Sequence, residues 1–212
     1  MNPTRFWLVR HAPVDDAARA ILYGTMDVAL CQVSLEAAAP LCRALANRLP
    51  QPAEWVISPL TRARRTAEAI FAAGYPSVSP VIEPGMTEQS LGEWQGLGHA
   101  ALPARLTGPP HAFWPTGPAE RPPGGESMED VIARVGAALE QLAERHPDRD
   151  VVVVGHGGAI RAAVAHALGI GPGPALSLAV QNLSLTRLER YPHAWRVVCV
   201  NEMADSPAGG DS

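Results

Sequence analysis

The sequence predicts an α/β fold: a single-domain three-layer sandwich with a mostly parallel central sheet and helices on both faces. Three observations carry this. Short apolar runs (FWLV, WVIS, VVVV) alternate with longer stretches whose apolar residues recur every three or four positions. Strand and helix periods in that alternation build parallel sheets. Val151 to Val154 are four consecutive valines, as a central strand covered on both faces requires. Finally, a chain of 212 residues, 47% of them apolar, suffices for one sizeable domain and would be cramped for two.

Phe6 to Val9 reads as a short buried strand. The spacing of Leu35, Ala38, Leu41, Cys42, Leu45 and Leu49 predicts a helix over 34–49. Trp55 to Ile57 is a second strand, and Pro59 suits the first turn of a helix to about Ala73, where its missing N–H costs nothing. Val78 to Ile82 is strand-like, but Pro80 assigns it to a sheet edge. Residues 103–125, dense in Pro and Gly, read as a long irregular loop or lid inside the domain, and such loops are often functional.

Ser127 with Asp130 makes a capping box for a helix with Met128, Val131, Ile132, Val135, Leu139 and Leu142 on one face, ending near His146. Glu126 is expected to cap that helix with Ser127. Gly155 to Gly158 turns the chain into another helix through Leu168, which Gly169 to Pro174 ends. Ser184 to Leu188 and Trp195 to Val200 read as a terminal antiparallel pair. The domain is expected to span 1–203, with 204–212 a disordered tail.

The net charge is −4 and no run of Lys or Arg occurs, which argues against a nucleic-acid partner. Cys31, Cys42 and Cys199 form no C-x-x-C and read as free thiols of a reducing compartment. The apolar run after the first residues is too short for a signal peptide. No stretch approaches the roughly 20 apolar residues of a membrane span. A soluble, cytoplasmic protein without a membrane partner is expected; the sequence does not encode an oligomeric state.

In open α/β sheets, ligands bind beyond the C-terminal strand ends. Two of those ends carry histidine: Arg10-His11 after FWLV, and Gly155-His156-Gly157-Gly158 after VVVV. A third strand feeds SPLTRARRTAE, which places Arg62, Arg64 and Arg65 in the first turns of a helix. Arg64 and Arg65 read as solvated surface. A neutral imidazole attacks phosphorus when one nitrogen is free and the other is held by an acceptor. Phosphoryl transfer further needs positive charge and N–H donors around the equatorial oxygens. Arginine forks and glycine-rich helix starts supply both. The two histidines could instead be metal ligands, but no H-x-H, D-x-D or H-E-x-x-H spacing supports that. No G-x-S-x-G elbow points to a serine hydrolase.

The combination resembles the histidine phosphatase superfamily, the branch of cofactor-dependent phosphoglycerate mutases and many small phosphatases. LVRHA is similar to its Arg-His motif, SPLTRARRTAEAI to its second-Arg segment, MTEQSLGEWQG to its acid loop and VVVVGHGGAIRA to its second-His segment. PPGGESMEDVIARV also fits, so the resemblance covers about residues 5–200. It implies a phosphoglycerate mutase-like fold and metal-independent hydrolysis of a phosphomonoester, with no cofactor. In that reading His11 becomes phosphohistidine. Arg10, Arg62 and a protonated His156 hold the phosphoryl oxygens. Glu88 protonates the leaving oxygen and then activates water. Gly157 joins the phosphate-binding set, as does Gly24, in a segment (YGTMDVALCQVSLEA) that resembles the next family stretch.

Departures are visible. The family commonly continues Arg-His-Gly-Glu with an Asn some six residues after the His, where this chain has Ala12, Pro13 and Ala17. Cys31 and Ser34 replace a usual hydroxyl and Gly. Glu88 leads into Gln89-Ser90-Leu91-Gly92 and not the Arg-His-Tyr-Gly of mutases, so the resemblance favours a phosphatase. A phosphoglycerate mutase is the alternative enzyme, and a phosphate- or partner-binding module without turnover the alternative of another class. The substrate is expected to be a small phosphorylated metabolite, a ribazole phosphate being one family candidate.

Overall fold

In the computed structural model, which describes residues 2–204, the chain opens on β1 (Thr4–Arg10). One helical turn, α1 (Asp16–Arg19), precedes α2 (Gln32–Ala37) and α3 (Ala39–Arg48). Then come β2 (Glu54–Ile57), α4 (Thr61–Ala72) and the two-residue β3 (Val81–Ile82). A long irregular stretch leads to α5 (Met128–Arg145), β4 (Asp150–Gly155), α6 (Gly157–Leu168) and the short α7 (Pro172–Leu176). The hairpin β5 (Leu185–Tyr191) and β6 (Ala194–Glu202) closes the domain.

The six strands lie in the order β3-β2-β4-β1-β5-β6. The first four are mutually parallel, and β5 runs antiparallel to both its neighbours. This is the mostly parallel sheet the sequence predicts. Strand periodicity then divides the core in two. Val151 and Val153 join Phe6 and Leu8 under α5 and α6, which supply Val131, Leu139 and Ile160. Val152 and Val154 face the other way, with Val9 and Ile57 under α3 and α4, which supply Leu45 and Ile70. The four valines are thus buried from both sides.

Where the elements differ from expectation, proline explains most of it. The helix expected over 34–49 is two helices, α2 and α3, meeting at Ala38. Pro40 has no N–H to continue a ladder and sits where a new helix can start. Pro59 lies outside α4, whose N-cap is Leu60. Pro80 shortens the edge strand to Val81–Ile82, both exposed. The single turn α1 and the short α7 have too few residues to show a period. The Ser127–Asp130 capping box forms in both directions. Residues 103–125 hold no α-helix or strand. Of the tail expected over 204–212, all but Ala204 lies outside the described residues. Among the described residues no helix is long and apolar enough to cross a membrane.

Candidate active site

Parallel pairing sets Arg10 opposite Gly155, so the next residues leave adjacent strands at the same level. One more ladder bond, His11 N–H to Gly155 O at 2.9 Å, fixes that level. The rings of His11 and His156 end 5.2 Å apart, centroid to centroid. His11 Nδ1 lies 2.6 Å from Ala12 O. A carbonyl only accepts, so Nδ1 carries the proton and Nε2 keeps its lone pair. Burial, then Arg10 and Arg62, push the His11 pKa down to about 3.

His156 is held from both sides. Arg62 Nε donates to its Nδ1 at 3.2 Å, leaving an Nε2–H that faces Ser58 Oγ at 2.7 Å. Burial foremost, with His11, Arg62 and Arg10, drives its pKa well below the ordinary value. The protonated His156 expected from the sequence is therefore corrected: a ring that accepts from Arg62, buried among positive charges, is neutral.

The His11 ring should not titrate between about pH 5 and 8, where a free histidine does. Two-dimensional NMR of the imidazole nitrogens checks this, and a mid-range titration at His11 would contradict the assignment. Stability follows the same sign. The unfolded chain takes up protons below about pH 6.5 that the folded chain refuses. The contribution is thus complete above that pH and is lost as pH falls towards the His11 value of about 3.

The two arginines differ. Arg10 Nη1 donates to Val180 O, while its Nε is buried and has no acceptor. Arg62, fully buried, already donates from Nε to His156, from Nη1 to Met26 O at 2.7 Å and from Nη2 to Gly24 O at 2.7 Å. It fixes the Gly24–Met26 turn as well as the second imidazole. Gly24, at φ +41°, admits no side chain: a Cβ would lie 2.7 Å from Gln95 Oε1 and 2.9 Å from Gln89 O.

Glu88 is seated at the start of α6. Its Oε2 accepts from Gly158 N–H at 3.0 Å and its Oε1 from Gln89 N–H at 2.9 Å. A Cβ on Gly158 would stand 2.2 Å from Oε1, so the last glycine of GHGG makes room for the acid. Arg134 holds the acid loop in place. It pairs with Glu126 and donates to the carbonyls of Gly85 and Thr87. Glu126 in turn accepts from Ser90 N–H. Glu126 therefore anchors this loop and does not cap α5, contrary to expectation; Ser127 caps it, with Asp130 closing the box.

Above these groups opens a cleft of about 190 Å³, lined by Arg10, Gly24, Glu88, Trp114, Gly157 and Arg161 among others. Trp114 and Pro115 form one wall, so the 103–125 loop does cover the site. Trp114 Nε1 donates to Gln89 Oε1 at 3.1 Å, tying lid to acid loop. His11, Arg62 and His156 are buried behind this lining.

Every site residue expected from the sequence thus converges here. Ala17 lies in α1, which Asp15 caps; Asn182 instead donates its amide to His11 O at 2.7 Å. Arg64 and Arg65 are exposed, as expected. Sequence reasoning missed Ser58, Arg134, Asn182 and Arg161. Only Arg161 left a signal: it stands four residues after Gly157 on the same helix, hence on the same face. Among the described residues no three His, Cys, Asp or Glu gather as a metal ion would need.

The chain belongs to the histidine phosphatase superfamily (branch 1), which residues 6–203 match. It is 36% identical to a glucosyl-3-phosphoglycerate phosphatase of Mycolicibacterium vanbaalenii, over 80% of this chain and 76% of the relative. It is 32% identical to a metal-independent phosphoserine phosphatase of Arabidopsis thaliana, over 75% of this chain and 66% of that one. The native structure of a mycobacterial glucosyl-3-phosphoglycerate phosphatase superposes with a TM-score of 0.77 at 28% identity, covering 95% of this chain and 100% of the other.

Proposed function

We propose that this chain is a phosphomonoester hydrolase that carries the phosphoryl group on His11. The observation that supports it most is the His11 ring, whose Nδ1–H is fixed on Ala12 O. Its Nε2 lone pair is thereby free, and Arg10, which lines the same cleft, keeps a buried Nε that lacks an acceptor. An isolated buried donor is costly, and a phosphoryl oxygen would satisfy it.

In the first step Nε2 attacks phosphorus in line, and the ester P–O bond breaks. Glu88 gives its proton to the leaving oxygen. The phosphorylated ring is cationic, and Ala12 O still accepts from its Nδ1–H. In the second step Glu88, now a carboxylate, takes a proton from water as that water attacks phosphorus. The P–N bond breaks and its electron pair returns to Nε2. Arg10 and Arg62 supply positive charge throughout, and the neutral His156, bonded to Arg62 at Nδ1 and to Ser58 at Nε2, holds the Arg62 guanidinium in place behind the phosphoryl group. The relatives named above, both phosphatases of small phosphorylated metabolites, support the same chemistry. The three free thiols support a reducing, cytoplasmic setting.

Phosphate release from a panel of phosphomonoesters tests this: phosphoserine, 3-phosphoglycerate, its glucosyl derivative, a ribazole phosphate and an aryl phosphate. Hydrolysis is expected without bisphosphoglycerate, in the presence of a strong chelator, and with inhibition by vanadate. Activity that vanishes on chelation and returns with zinc or manganese would overturn the reading in favour of a metal site. Interconversion of 2- and 3-phosphoglycerate with little free phosphate would mark a mutase.

A further inference from the structure

We propose that Arg161 forms a second anion subsite on the leaving-group side of the cleft. The preferred substrates would then be phosphate esters of alcohols that bear a carboxylate a few bonds from the ester oxygen. The proposal rests on the phosphatase reading and names the substrate class of that same site.

Arg161 is 8% exposed and lines the cleft. Its Nε donates to Leu178 O at 2.8 Å, while Nη1 and Nη2 donate to no acceptor among the described residues. A side chain on a helix leans towards the N-terminus, which brings this guanidinium back over Gly157. A Cβ on Gly157 would lie 3.1 Å from Arg161 Nη1 and 3.4 Å from Arg10 Cζ. Two guanidiniums so close, one with both terminal nitrogens free and the other with a buried idle Nε, call for more anion than the protein provides. The Arg161 fork is also fixed in place, with its Cζ 4.8 Å from the centre of the Trp114 ring.

Position assigns the anion. A Cβ on Gly158 would meet both Glu88 Oε1, at 2.2 Å, and the Trp114 ring, at 3.4 Å, and Arg161 stacks on that same ring. Arg161 therefore sits beside the proton donor, where the departing alcohol must lie. Once Glu88 carries its proton, Arg161 has no anionic partner in the cleft, and its terminal nitrogens are left for an anion on the substrate. A guanidinium fork suits a carboxylate bidentately.

The test compares 3-phosphoglycerate with 2-hydroxyethyl phosphate, the same ester without its carboxylate. The intact chain should favour 3-phosphoglycerate by about 10- to 100-fold in kcat/KM, the range of a charge-assisted hydrogen bond. Arg161→Met keeps the stem against Trp114 and removes the fork, and should collapse that ratio towards one. Equal kcat/KM for the two esters in the intact chain, or an unchanged ratio in Arg161→Met, would overturn the subsite. Calorimetric binding of both esters to a His11→Gln variant, folded by its thermal melt, separates the two claims. If neither ester nor any other member of the panel is hydrolysed, the phosphatase reading fails. The subsite still stands if 3-phosphoglycerate binds about 10-fold or more tighter through Arg161, and falls if the two esters bind alike.

Discussion

His11→Ala should lower kcat by at least about 10⁴-fold on every phosphomonoester, because loss of a covalent nucleophile leaves no comparable route. The neighbours explain why nothing takes over. Ser58 Oγ lies 2.7 Å from His156 Nε2 and accepts from Leu60 N–H. His156 has its Nδ1 occupied by Arg62. Cys31 caps α2 through its sulfur. The deletion removes a ring 2% exposed, so a melting curve must accompany the kinetics. A folded variant that retains substantial turnover would remove His11 from its role. The loss should be equal for good and poor leaving groups, since attack on phosphorus is common to both.

The second large effect separates substrates. Glu88→Gln keeps the shape of the side chain, and its amide oxygen can still accept from Gly158 N–H or Gln89 N–H, the two bonds that seat Glu88 now. What it loses is the transferable proton. General acid help is worth about 10²–10⁴ in rate, and it matters most when the leaving group is a poor one. An alkyl phosphate should therefore slow by that factor in the chemical step, measured in single turnover. An aryl phosphate, whose leaving group departs unaided, should slow far less in that step. Breakdown of the adduct also uses Glu88, so the aryl substrate should show a burst followed by a slow steady state. Equal slowing of both substrates in the first step would show that Glu88 is not the donor.

Much of this site is legible in the sequence because its parts sit at strand ends. A strand rich in valine followed by a histidine and glycines predicts where the histidine emerges, and the parallel register then brings His11 beside His156. Glu88 is different. It lies in an irregular loop with no period of its own, and only the family resemblance singled it out. Its seat depends on Gly158 and on the Arg134–Glu126 pair, contacts between residues far apart in sequence. Protonation was likewise unreadable. The charge on His156 depends on complete burial and on the donor that reaches its Nδ1, neither of which composition reveals. The break at Ala38 and the displaced start of α4 show the limit of apolar spacing, since Pro40 and Pro59 act on the backbone whatever face the side chains take.

The most direct measurement is to trap the intermediate. The enzyme is mixed with phosphorus-labelled substrate, quenched within a turnover in alkaline denaturant to preserve a P–N bond, digested and sequenced by mass spectrometry. The label should sit on His11, be stable to base and be released by mild acid. An acid-stable, alkali-labile ester on Ser58 in a parallel acid-quenched sample, or no protein-bound label at any time in the turnover, would contradict the transfer to His11.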